Sequence, residues 1–197
     1  GQEFQKSSTD DLIVPHDMLY DNINSDGNFT LSAWIKGTNG NLNQIFGAFA
    51  GDTSNTNGGV NFFVNSGNVM VGGNDCNSGG SWYNTNIGSS VDDGDWHHVM
   101  IVYTNYNSQE VWIDGAYEGS LSNPYCVPSA GQYDAGSSSI NQKFGSNPSS
   151  GGHSAHCSDY TMDEAGFWNT ALNQTHATAL YNSGSGLSYS SFTYANL

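Results

Sequence analysis

The chain contains no arginine and only three lysines, Lys6, Lys36 and Lys143, against 18 acidic residues, giving a formal net charge of −15 over 197 residues. A nucleic-acid binder must displace counterions from phosphates with a basic surface, and this chain cannot build one; the same deficit argues against docking on anionic lipid. Long apolar runs are also missing. No stretch approaches the roughly 20 residues of a membrane-spanning helix, and the first residues lack the basic-then-apolar build of a signal peptide, so a soluble chain without membrane insertion is expected. Cysteine is scarce: Cys76, Cys126 and Cys157 allow one internal disulfide at most and leave one thiol over. All three sit among Gly, Ser and Asn, which suits an extracellular staple, and the pairing stays open. Glutamate is limited to Glu3, Glu110, Glu118 and Glu164. What is abundant is turn and strand material: 25 glycines, many Ser and Asn, and 13% aromatic residues, the composition of short strands joined by polar turns.

Period-2 alternation marks the strands. Phe29, Leu31, Ala33 and Ile35 alternate with Thr30, Ser32, Trp34 and Lys36; Val60, Phe62 and Val64, then Val69 with Val71, and Val99, Ile101 and Tyr103 repeat the pattern. The run from Val111 ends in Asp114-Gly115, a hairpin turn signal because both residues tolerate positive φ. A further strand reads Met162 to Trp168. One short helix is expected near the end, with Asn173 as N-cap, Leu172 and Ala177 as a hydrophobic staple and Gly184 near the C-cap. The polar segments 72–94 and 120–156 exceed ordinary loop length, so each is read as a functional loop or an irregular edge strand. These elements predict an all-β fold, a two-sheet antiparallel sandwich with one short C-terminal helix.

Three segments sharpen that fold. The runs from Asn28 to Lys36, from Asp95 to Tyr103 followed by 111–115, and from Met162 to Leu172 followed by 179–184 resemble, in this order, the landmarks of the laminin G-like, or concanavalin A-like, jelly-roll superfamily. They run from about 11 to 184. The resemblance implies one jelly-roll domain over 1–197, with 1–10 and 185–197 as flanking strands or tails. It implies no single activity, because lectins, adhesion modules, hydrolases and lyases share this fold.

Glycosidases of this fold place carboxylates at alternate positions of one strand, so that acid and nucleophile lie about 5 Å apart. None of the four glutamates sits in such a pattern. Asp163 and Glu164 are consecutive, and on a regular strand they point to opposite faces. Lyases of similar fold use an arginine, which is lacking. Asp92, Asp93 and Asp95 read as an acidic turn before Trp96. His97-His98 reads as strand packing rather than a metal pair, and His153 with His156-Cys157 reads as a loop without four-ligand zinc spacing. No catalytic residue is assigned.

Calcium prefers several oxygen ligands at about 2.3 to 2.6 Å, which an Asp- and Asn-rich chain can supply. The resemblance implies a largely structural calcium at Asp163, facing the N-terminal strand, with partners near Asp10-Asp11, Asp17 or Asp26-Gly27. Asp52, Asn55 and Asp75 have the chemistry for a second ion. Sugar recognition uses aromatic faces, and Trp82, Tyr83, Tyr106, Tyr125 and Tyr133 lie in polar contexts that suit it, whereas Trp34, Trp96 and Trp168 are expected to pack in or on the sheets. The leading reading is a non-catalytic, calcium-assisted carbohydrate-binding or adhesion module of a larger secreted, cell-surface or virion protein, whose partner is a glycan or cell-surface ligand. The alternatives are a structural or protein-binding module of an adhesin or phage fibre, and a divergent hydrolase or lyase.

Overall fold

The computed structural model describes residues 2–3, 12–14, 27–38, 40, 42–49, 59–74, 82–105, 108–122, 142–145 and 159–187. Within them run β1 (Gln2–Glu3), β2 (Leu12–Val14), β3 (Phe29–Lys36), β4 (Asn43–Phe49), β5 (Gly59–Asn65), β6 (Asn68–Asn74), β7 (Trp82–Ser90), β8 (His97–Thr104), β9 (Ser108–Ile113), β10 (Ala116–Ser122), β11 (Gln142–Phe144), β12 (Thr161–Trp168) and the helix α1 (Gln174–Tyr181). They form two six-stranded antiparallel sheets. The first has the order β1-β12-β3-β8-β9-β10 and the second β2-β11-β4-β5-β6-β7. This is the expected jelly-roll sandwich. The first and last described strands meet in the first sheet, where Gln2 pairs with Met162 and Glu3 with Thr161.

The core follows from the alternation. Phe29, Leu31, Ala33, Ile35, Val99, Ile101 and Tyr103 from one sheet meet Phe46, Val60, Phe62, Val64, Val69 and Val71 from the other, all buried. Each such side chain removed from water contributes about 1.5–3 kcal/mol before entropy is counted. Phe29 and Tyr103 stack with ring centroids 4.2 Å apart.

Strand β3 is buried on both faces, which a strand with one solvated face would not be. The chain from 170 onward covers its outer side: Trp34 of β3 stacks on Tyr181 of α1, and beside it Leu172, Ala177 and Leu180 cover Met100, Val102 and Trp112 of β8 and β9. Thr30 pins the entry to the helix, donating to the Thr170 carbonyl at 2.8 Å and accepting from the Leu172 N–H at 3.0 Å. Asn173 caps α1 as expected, its side chain accepting from the N–H groups of Thr175 and His176. Gly184 lies near the C-terminal cap as expected, closing a short 3-10 turn, while the left-handed cap position itself is taken by Asn182, at φ 46°. Asparagine can do this because its short polar side chain tolerates the left-handed region.

The hairpin turn between β9 and β10 also forms as expected. Asp114 (φ 52°) and Gly115 (φ 76°) occupy it, and Ile113 pairs with Ala116. A side chain on Gly115 would press on Thr178 and Tyr181 at 3.3 Å, so the helix rests directly on this turn. The segment 72–94 contains the edge strand β7, and 120–156 contains β11. Cys76, Cys126 and Cys157 lie outside the described residues.

Candidate functional site

The site is set by an irregularity in β12. Asp163 pairs with Trp34, but the next paired residue is Gly166, opposite Ser32; three steps on one strand match two on the other. That single extra residue is a β-bulge. Glu164 sits in it at φ 46°, the left-handed region that a non-glycine residue enters rarely, and its N–H donates to Asp163 Oδ1 at 2.9 Å. The expectation that Asp163 and Glu164 face opposite ways therefore fails. The bulge breaks the period of two, and both carboxylates line one cleft.

That cleft, of about 180 Å³, is lined by Trp34, Trp96, Asp163, Glu164, Gly184, Ser185 and Gly186. Its floor is Trp34, which is held between Tyr181, stacked at 5.7 Å, and His98, at 5.5 Å. Trp34 thus packs on the sheet, as expected, and presents the remainder of its indole to the cleft. Gly186, at φ 66°, leaves the opening: a Cβ there would stand 2.7 Å from Glu164 Oε2 and 3.2 Å from Trp34 Nε1. Glu164 has its carboxyl pKa raised, first by burial and then by the negative charge of Asp163.

Trp96 corrects a second expectation. It does not pack in a sheet; β8 begins one residue later, and Trp96 is 39% exposed at the rim of the cleft. The acidic turn before it is structural, as expected. Asp92 Oδ2 accepts the Gly40 N–H at 2.6 Å, Asp92 Oδ1 accepts the Tyr160 hydroxyl at 2.6 Å, and Asp93 Oδ1 accepts the Asp95 N–H at 2.9 Å. That last bond, with the nearby His97, holds the Asp93 carboxyl below the usual range.

The two histidines diverge, as consecutive strand residues should. His98 is buried, its pKa pushed down to about 4 by desolvation, and its backbone N–H donates to Asp114 Oδ1 at 2.9 Å. His97 is more than a packing residue: its ring lies between Asp114 and Asp93.

The residues singled out in the sequence are distributed unevenly. Asp163 is exposed, lines the cleft and lies on β12, next to Met162, the partner of Gln2 in β1. Trp82 and Tyr83 lie on the edge strand β7, paired with Asn74 and Gly73. Tyr106, Tyr125, Tyr133, Asp11, Asp26, Asp52, Asn55 and Asp75 lie outside the described residues. Sequence reasoning passed over Glu164, Trp96 and Gly186. Gly166 in mid-strand was the available signal, because glycine inside a strand often marks a bulge.

Residues 7–178 match the laminin G family model described as the concanavalin A-like lectin/glucanases superfamily. The chain belongs to this superfamily. No curated protein matches it. Among solved structures similar to this superfamily member, domains LG4-5 of the mouse laminin α1 chain superpose with a TM-score of 0.61 at 15% identity, covering 87% of this chain and 42% of that one. The binding domain of botulinum neurotoxin DC, in complex with rat synaptotagmin II, gives 0.58 at 12% identity over 88% of this chain and 39% of that one; the same domain in complex with SialylT gives 0.57 at 11%, again over 88% and 39%. A native heptameric SAP-like pentraxin from Limulus polyphemus gives 0.52 at 20% identity over 78% and 69%. The chain thus spans about two fifths of the laminin and neurotoxin chains, and at these identities the likeness is one of fold.

Proposed function

We propose that this superfamily member is a non-catalytic binding module for a glycan or cell-surface ligand, and that the cleft between Trp34, Trp96, Asp163 and Glu164 is where it binds. The observation that carries the reading is the pairing of an exposed indole with two carboxylates around a space of about 180 Å³. An indole face receives the C–H side of a sugar ring, and carboxylates accept from its hydroxyls. The similar solved structures fit this reading, since among them a toxin binding domain is found in complex with rat synaptotagmin II and, separately, with SialylT.

Calcium is part of the proposal. Asp163 and Glu164 are hard oxygen donors on one cleft, and the repulsion that helps raise the Glu164 pKa is what a divalent cation relieves. Among the described residues no group of three His, Cys, Asp or Glu side chains converges on a metal, so the remaining ligands would be carbonyls and the donors near the N-terminal strand. A bound ion would supply positive charge for ligand oxygens and tie β12 to β1. The secreted or surface context and the larger multidomain protein are proposed with it. Among the described residues no helix is long and apolar enough to cross a membrane.

One observation favours a second reading, a glycoside hydrolase: the bulge brings two carboxylates to one cleft and raises the pKa of one. Against it, consecutive residues approach a ligand from the same rim, whereas hydrolysis needs carboxyl groups flanking the bond. A glycan array with wild type and Trp96→Ala, with calcium and with EDTA, tests both. Calcium-dependent binding that Trp96→Ala abolishes supports the module; binding unaffected by Trp96→Ala overturns the assignment of the cleft; release of product from a polysaccharide would establish the hydrolase.

A further inference from the structure

Trp96 is exposed, yet the residue that follows it is gripped from two sides. His97 Nδ1 lies 2.8 Å from Asp114 Oδ2, and His97 Nε2 lies 3.1 Å from Asp93 Oδ1. Both oxygens belong to carboxylates, and each carboxylate also accepts a backbone N–H, from His98 and from Asp95 respectively. A neutral imidazole carries one N–H and can serve one acceptor; only the imidazolium donates from both nitrogens. The two distances together therefore describe a charged ring. Asp93 and His97 bracket Trp96 in sequence, while Asp114 belongs to the hairpin turn on which α1 rests, so the clasp ties the segment that carries Trp96 to a fixed part of the fold.

We infer that His97 is a positioning residue for the cleft. As an imidazolium it fixes Trp96 as the cleft's aromatic wall, and on losing its proton it releases Asp93 and lets that wall move. The bond to Asp93 is the one that gives way: it is the longer of the two, and the Asp93 side chain is 57% exposed against 31% for Asp114. No other described charge faces the ring. Asp92 is engaged by Gly40 and Tyr160, His98 is held neutral by burial, Lys36 lies one residue beyond the cross-strand partner Ile35, and α1 has no acid in its first turn or base in its last. The titration agrees with the geometry: burial works against the charge, but the bonds to Asp114 and Asp93 outweigh it and raise the His97 pKa above its ordinary 6.5.

The inference rests on the binding reading of the cleft for its biological meaning, but its test needs no ligand. In the full chain labelled with 5-fluorotryptophan, the Trp96 fluorine resonance, assigned through Trp96→Phe, is followed against pH beside the His97 ring protons. The expected result is a Trp96 shift with the same midpoint as His97. Asp93→Asn, a change at an exposed carboxylate, should move the His97 midpoint back toward the ordinary value and carry the Trp96 midpoint with it. A Trp96 resonance that stays flat through the His97 titration overturns the inference, as does one that ignores the Asp93→Asn displacement. An array blank on every glycan would sink the binding reading alone, because the titration still decides whether His97 governs Trp96.

Discussion

Two short acidic segments of this chain look alike in sequence and do opposite work. In the turn from Asp92 to Asp95 two carboxylates are consumed by the protein: that of Asp92 by a backbone N–H and a tyrosine hydroxyl, that of Asp93 by a backbone N–H and an imidazole. In the bulge of β12, Asp163 and Glu164 line a cleft, and burial, joined by the charge of Asp163, makes Glu164 harder to ionise. A count of acids does not tell the segments apart. What separates them is where each carboxylate stands: Asp92 and Asp93 serve donors of the protein's own turn, whereas Asp163, whose Oδ1 accepts the Glu164 N–H, and Glu164 line an opening.

The sharpest way to break this contrast is to remove an acid from the turn. Asp92→Ala deprives the Gly40 N–H and the Tyr160 hydroxyl of their partner, and it should cost about 2–4 kcal/mol in urea unfolding if those groups find no other acceptor. A loss below about 0.5 kcal/mol would mean that the turn is not structural. The matching change in the bulge acts through a ligand. Asp163→Ala should lower the melting temperature in calcium and abolish the rise that calcium gives wild type, a rise worth about 2.7 kcal/mol at a hundred times the dissociation constant. Equal melting temperatures for both proteins, with and without calcium, would remove calcium from the proposal.

A smaller effect is expected from pH. The folded pKa of His97 is raised, so its contribution is fully present below the unfolded value and is lost as pH climbs through the folded one. Wild-type stability should decline over that window by under about 1 kcal/mol, since the ring is only partly buried and solvent screens the pair. The decline should vanish in His97→Gln; if it persists there, another group is responsible. The smallest change in stability belongs to Trp96→Ala, within about 0.5 kcal/mol because the indole is exposed, although ligand binding should fall tenfold or more. A large loss of stability would show that Trp96 belongs to the core after all.

Much of the fold could be read along the chain because alternation survives wherever a strand has a face in the core, as from Phe29 to Ile35 and from Val99 to Tyr103. The Asn173 cap and the Asp114-Gly115 turn were legible for the same reason: each is a local interaction with a residue signature. The cleft was not. It depends on one inserted residue that reverses the facing of Glu164, on a strand that begins at His97 rather than Trp96, and on a clasp between positions 17 residues apart. None of these leaves a periodic trace. The aromatic candidates in the polar segments were chosen for composition, and Tyr106, Tyr125 and Tyr133 lie outside the described residues, so their part in binding is a separate question from that of the cleft.

Gly186 gives the cleft an unusual vulnerability. The smallest possible addition there, a single methyl group, would stand 2.7 Å from Glu164 Oε2 and 3.2 Å from Trp34 Nε1, so the end of the Glu164 side chain would have to shift. The placement of a carboxylate that lines the cleft is thus tied to the smallness of a residue 22 positions away, and Gly186→Ala would rearrange the lining without removing a single charged or aromatic group.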